Sequence, residues 1–172
     1  MAAAVMLNPK RPIPGLDDSK TLTAARRTEL DRCIREHSLD VAVAVVSHQE
    51  CDSLGMHQAD LHGLRRAVAR LEMRPAFVLT DGFAVDGLGV PNLAVVKGDR
   101  VAACVSAASI VAKVARDRIM TGYDAQFPGY GFAQHKGYST AIHQRALEEN
   151  GPCPIHRMRF ANVARVARVE QP

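Results

Sequence analysis

The chain contains no tryptophan, and three tyrosines and five phenylalanines leave only 5% of its 172 residues aromatic. A core so poor in rings has to be packed mainly from aliphatic side chains. Long hydrophobic runs are absent too. The stretch Met1–Leu7 is apolar but far too short to span a membrane, and it lacks the basic leading region of a signal peptide. Four cysteines, Cys33, Cys51, Cys104 and Cys153, form no C-x-x-C pair and no Cys-His metal spacing. That excludes a zinc ribbon and a disulfide scaffold, and suits the reduced thiols of a cytoplasmic protein. There is no glycine-rich phosphate loop, no G-x-S-x-G elbow and no Cys-His nucleophile arrangement. No internal repeat, low-complexity tract or second domain stands out.

What is present is ordinary globular material: 47% hydrophobic, 23% charged, enough for one domain spanning 1–172. Net charge is +4 and the pI about 9.1, a mild lean toward polyanions. The basic residues crowd the last third, with Lys113, Arg116, Lys136, Arg157 and Arg165 among them, and this bias points to a phosphate-facing surface. Apolar runs predict strands at Ala2–Leu7 and Val41–Val46. Thr23 is positioned to cap an amphipathic helix running to about His37. Further helices are expected over Asp60–Leu71, about Val101–Met120 and about Thr140–Glu149, the last stopped by Asn150-Gly151-Pro152. Strands alternating with helices make this an α/β chain.

Two apolar runs end in an acid with glycine beside it: Ala76–Gly82, reaching Asp81, and Leu93–Asp99. Either aspartate alone reads as a turn residue, since Asp-Gly and Gly-Asp are common turn dipeptides. As neighbouring strands of an open sheet, however, they would bring two carboxylates to the crevice at the strand ends. A hard divalent cation, Mg²⁺ or Mn²⁺, is the usual reason to tolerate such repulsion. On the long helix Ser106, Ser109, Lys113 and Asp117 share one face. That stripe is either a solvated surface or, given its small hydroxyls beside a lysine, a close approach to a phosphate backbone. His135-Lys136-Gly137-Tyr138 reads as a surface loop with a core tyrosine, or as an aromatic and a cation set to stack on a sugar or base. On spacing alone Asp18-Ser19-Lys20 is a cap, and His48, His57 and His62 are helix-surface or core residues.

Taken together, these segments resemble the bacterial ribonuclease HII family of the ribonuclease H-like superfamily. The resemblance runs through Gly15–Lys20, Leu79–Gly82, Ala94–Asp99, Ala107–Lys113, Arg116-Asp117, Tyr130–Tyr138 and His156-Arg157, in that order. It implies a mixed sheet flanked by helices, with a catalytic core over about 1–127 and a C-terminal helical substrate-binding extension over 128–172. It also implies two Mn²⁺ or Mg²⁺ ions held by four carboxylates, of which Asp81 and Asp99 match the third and fourth. Tyr138 matches the tyrosine that stacks on the sugar beside the cleaved ribonucleotide, and Lys20, Lys113 and Lys136 look like phosphate contacts, with Ser109 beside them. The expected protein is a cytoplasmic, monomeric endonuclease of DNA replication and repair. It would cut the RNA strand of RNA–DNA hybrids and single ribonucleotides embedded in duplex DNA.

The family's first strand carries an Asp-Glu pair followed by Gly-Arg-Gly, which reads the 2′-hydroxyl, and neither string occurs in these residues. The expectation is that the chain begins within the family's second strand, its first strand and two metal ligands lying upstream. Arg159 departs from the small hydroxyl residue usual in the family. The alternative reading is a shortened form that binds hybrid duplex without cutting it; an unrelated α/β protein with turn aspartates is the third.

Overall fold

A computed structural model describes residues 1–169. In chain order they form β1 (Ala2–Met6), α1 (Ala24–His37), β2 (Asp40–Ala44), α2 (His48–Leu54), α3 (Met56–Ala69), β3 (Val78–Asp81), β4 (Asn92–Val95), α4 (Gly98–Val101), α5 (Ala103–Gln126), α6 (Phe132–His135), α7 (Ala141–Asn150) and α8 (Ala161–Val169). Residues group into two compact units, Met1–Val45 with Asp60–Ala115, and Val46–Ala59 with the chain from Arg116 onward.

The first unit holds two short ladders. Strands β1 and β2 pair antiparallel with Ala3 opposite Val43 and Val5 opposite Val41. Alternate residues point to opposite faces. Ala3, Val5, Val41 and Val43 pack against Leu30 and Ile34 of α1 and Ile110 and Val111 of α5. Ala2, Ala4 and Ala44 face Leu64 and Ala67 of α3. Neither face is solvated, so both strands read as uninterrupted apolar runs. Thr23 caps α1 as expected, its hydroxyl accepting from the Arg26 N–H at 3.2 Å.

Strands β3 and β4 pair in parallel, the last pair being Asp81 with Val95. Here the sequence expectation needs correcting. The second acid-tipped strand ends at Val95, and Asp99 lies beyond it in the first turn of α4. The cause is Lys97, whose φ of 53° takes the backbone out of the extended region. The long helix also shifts, starting at Ala103 and continuing to Gln126 before Phe127-Pro128-Gly129 ends it.

The second unit gathers most of the rings. Tyr130, Phe132 and Ala146 form one buried cluster with Tyr123, Phe127 and Ile155 around it. Leu147, Val163 and Val166 form another with Phe160. Thr140 caps α7 by accepting from the His143 N–H at 3.2 Å. Among the described residues no helix is long and apolar enough to cross a membrane.

Ile110 is fully buried where α1, α5 and the β1–β2 ladder meet. Ile110→Ala is expected to destabilise the protein by about 2–5 kcal/mol, the range for deleting a large aliphatic side chain in a core that cannot collapse around the gap. Urea unfolding checks it; a loss below about 1 kcal/mol would mean the cluster repacks freely.

Candidate active site

In the first unit three chain segments meet at α4. Gly82, with φ of 81°, turns the chain at the end of β3 and donates its N–H to the Val95 carbonyl at 3.0 Å. The Asp81 side chain reaches across, and its Oδ1 accepts from the Gly98 N–H at 2.9 Å. Asp99 is the next residue and is buried, 6% exposed. Gly98 suits this close approach because it has no Cβ: one added there would lie 3.1 Å from Val105 Cγ1 and 3.4 Å from Asp81 Oδ1.

The third segment is the Asp17–Lys20 turn. The Asp18 carboxylate accepts from the Lys20 N–H at 2.9 Å through Oδ1. Its Oδ2 takes Nη2 and Nε of Arg100 at 3.0 and 3.2 Å. Helix α5 fastens the same turn, with Ser106 Oγ donating to the Asp17 carbonyl at 2.8 Å and Ser109 Oγ bonded to Ser19 Oγ at 2.9 Å. Lys20 is thereby aimed at Asp99, with Nζ 4.0 Å from Oδ2.

Charge at this spot is unbalanced. Burial raises the Asp99 pKa above 3.8, and the charges of Asp81 and Asp18 push the same way against Lys20 and Arg100. Asp18 moves oppositely, lowered by its hydrogen bonds from the Lys20 N–H and from Arg100. Asp81 and Asp99 thus offer two hard oxygen donors of like charge, a pair whose chemistry suits a divalent cation. Among the described residues no three His, Cys, Asp or Glu side chains could by themselves hold a metal ion. The donor set fits an ion that keeps water or phosphate oxygens on its remaining positions.

The structure thus brings Asp81, Asp99 and Lys20 together, with Ser109 bracing the turn that carries Lys20. Lys113 follows one helical turn after Ser109 on α5. Lys136 and Tyr138 belong to the second unit. There Lys136 Nζ donates to Thr121 Oγ1 at 2.9 Å and to the Ala133 carbonyl. The Tyr138 ring is 53% exposed, with the Arg116 guanidinium carbon 5.3 Å from its centroid. Sequence reasoning missed the Arg100–Asp18 pair, whose residues stand 82 positions apart. The available signal was that Arg100 adjoins Asp99 and that Asp18 lies two residues before Lys20.

A ribonuclease HII family model matches residues 1–163. A ribonuclease HII from a Nocardioides species is 58% identical over 172 residues, covering 99% of this chain and 72% of that protein. One from Cutibacterium acnes is 59% identical over 171 residues, covering 98% and 84%. The crystal structure of ribonuclease H2 from Pyrococcus horikoshii aligns with a TM-score of 0.77 at 25% identity, covering 90% of this chain and 81% of that one. The enzyme in an Archaeoglobus fulgidus PCNA:RNase HII complex shares the fold at 24% identity and a TM-score of 0.76, covering 95% and 86%.

Because the folded protein holds the Asp99 proton more tightly than the unfolded chain does, this group favours folding most below pH 3.8 and progressively less as pH rises through its shifted value. Without divalent ions, Asp81→Asn removes a like charge yet keeps an acceptor for Gly98. It is expected to raise the melting temperature at pH 7 by about 1–2 °C, the shift that a few tenths of a kcal/mol gives a chain this size. Differential scanning calorimetry in chelator checks this; a lower melting temperature would contradict the like-charge repulsion.

Proposed function

The chain belongs to the ribonuclease HII family, and from that premise we propose that Asp81 and Asp99 are its metal-holding carboxylates and that Tyr138 meets the substrate's sugar. The activity is that of the family: metal-dependent, endonucleolytic hydrolysis of the RNA strand of RNA–DNA hybrids, including at ribonucleotides embedded in duplex DNA. The relatives favour this enzyme over a binding-only chain, because they are ribonucleases matched along 98–99% of it. In the same reading the ion is Mn²⁺ or Mg²⁺ and the chain works as a cytoplasmic monomer.

The observation carrying the residue assignment is the Gly98 N–H bond to Asp81 Oδ1, which fixes one carboxylate against the residue preceding the other. Two bound divalent ions would activate a water for attack on the phosphodiester and stabilise the leaving oxygen. The chain's own residues set the stage for that. Asp81 and Asp99 hold the ions. Lys20, braced by the Asp18 turn and by Ser19–Ser109, offers a cation to a phosphate beside them. Lys113 serves as a further phosphate contact. Lys136 reaches a phosphate by exchanging its bonds to Thr121 and Ala133. The exposed Tyr138 ring presents an apolar face to a ribose.

Asp81→Asn is expected to reduce nicking of a duplex carrying one ribonucleotide by more than about 100-fold, exceeding the loss typical of outer-shell partners of a metal. Affinity for the uncut duplex should stay within about threefold at fixed salt, since it comes mainly from cationic phosphate contacts. Gel-resolved cleavage and anisotropy titrations measure the two. Full nicking by the variant would remove Asp81 from the site, and wild-type protein that binds but never nicks with Mn²⁺ or Mg²⁺ would favour the binding-only form.

A further inference from the structure

Bonded to the backbone that carries Tyr138 is a buried set of three histidines that no step of the cleavage chemistry uses. His135, His143 and His156 are 6%, 5% and 7% exposed. The His135 and His143 rings stack at 4.2 Å between centroids and 12° between planes. Phe132 sets its edge against both, at 5.7 and 5.8 Å.

Their protons can be placed from their partners. His143 Nδ1 lies 3.0 Å from the Tyr138 carbonyl, which only accepts, so His143 carries its proton there. Its Nε2 is then a lone pair, and the His156 Nε2 at 3.2 Å must donate to it. His156 Nδ1 then accepts from the Cys153 N–H at 3.0 Å, and in this arrangement it offers no proton to the Cys153 carbonyl at 3.2 Å or to Sγ at 3.1 Å, which lie beside the same nitrogen. His135 Nε2 donates to the Tyr130 carbonyl at 2.8 Å, and its Nδ1 accepts from the Gly137 N–H at 3.0 Å. One proton per ring satisfies all six nitrogens.

Two of these bonds end on the backbone that carries Tyr138. That backbone is conformationally unfavourable. Lys136 and Gly137 both have positive φ, 53° and 78°, and a non-glycine residue there needs its surroundings to hold it. The Tyr138 N–H donates to the His135 carbonyl at 3.0 Å, and the Tyr138 carbonyl also accepts from the Thr140 N–H at 2.8 Å.

We propose that His143 is a positioning residue for cleavage at ribonucleotides: through its Nδ1–H, with the tautomer imposed by His156, it fixes the left-handed corner that presents Tyr138. This rests on the reading that Tyr138 meets the sugar. The proposal requires neutral rings. Burial pushes His143 below the usual imidazole range and His156 down to about 4. The titratable groups facing His143 are His135 and His156, with Cys153 and Tyr130 against His156.

The test compares His143→Leu, which removes the donor, with His143→Asn, whose side-chain amide N–H replaces Nδ1–H. In the wild-type protein, long-range ¹⁵N spectra at pH 7 should show the Nδ1–H form for His143 and the Nε2–H form for His135 and His156. The Tyr138 and Thr140 amides should exchange about tenfold faster in His143→Leu and near the wild-type rate in His143→Asn. On a single-ribonucleotide duplex, His143→Leu should lower kcat/KM about as much as Tyr138→Ala, and the double variant should lose no more than either alone. His143→Asn should recover most of the activity. An Nε2–H or doubly protonated His143, unchanged amide exchange in the leucine variant, or an additive double loss would each overturn the proposal. Spectra and exchange rates decide it whether or not the chain nicks, whereas a wild type inert with divalent ions would count against the activity itself.

Discussion

A buried carboxylate set next to a second carboxylate is stable only if its surroundings answer the charge, and the neighbourhood of Asp99 is organised around that requirement. Asp99, Asp81 and Asp18 stand against Lys20 and Arg100, three acids to two bases, so these five side chains sum to −1. Arg100 is committed to Asp18 by two hydrogen bonds. Its positive charge therefore stabilises the turn more than it neutralises Asp99. Lys20, with its side chain largely in solvent and 4.0 Å from Asp99, answers only in part. The remaining deficit is what supports the proposal that this spot takes a cation.

The backbone around it serves the same end. Parallel pairing of β3 with β4 stops at Asp81 and Val95, and the left-handed Lys97 then folds Gly98 back so that its N–H meets Asp81. A longer β4 would have carried Asp99 along the strand direction, away from that amide. The loss of extended conformation at Lys97 is thus what lets two acids separated by 17 intervening residues become neighbours. The absence of a Cβ at Gly98 keeps the contact from being crowded by Val105.

Much of this was readable in the residues wherever the cause was local. Thr23 as a cap, the apolar runs of β1 and β2, and Asn150-Gly151 as a stop all act within a few positions of the elements they define. The apolar runs stopping at Asp81 and Asp99 singled out both acids, though not the helical turn that carries Asp99. What could not be read was set by partners far along the chain. The end of β4 depends on a tertiary choice at Lys97, because apolar Val95-Val96 gives no sign that Val96 will be 77% exposed. Ser106 and Ser109 read as a solvated or phosphate-facing stripe. In the fold their hydroxyls bond to the backbone of Asp17 and the side chain of Ser19, about 90 residues earlier. His143 drew no notice in the sequence, since one histidine in an amphipathic helix says nothing of the two rings folded against it.

The scarcity of aromatic residues gives Tyr138 its meaning. Tyr130 is 7% exposed, stacks on Phe132 at 5.2 Å and donates its hydroxyl to the Gly151 carbonyl at 2.8 Å, as a structural ring should. Tyr138 sits eight positions later with half its surface in water and a guanidinium near its face. Burying that ring would have been favourable, by roughly 1.5–3 kcal/mol for a large apolar side chain. The fold instead keeps it outside on a corner whose left-handed backbone costs further energy, with the Gly137 N–H donating to buried His135 and the Tyr138 carbonyl accepting from buried His143. Two stacked histidines and a third tilted against them thus hold the backbone of a ring left in solvent, which is the arrangement the proposed role of Tyr138 calls for. Under the proposed function, a ribose with its flanking phosphates is what the ring and the nearby guanidinium would meet.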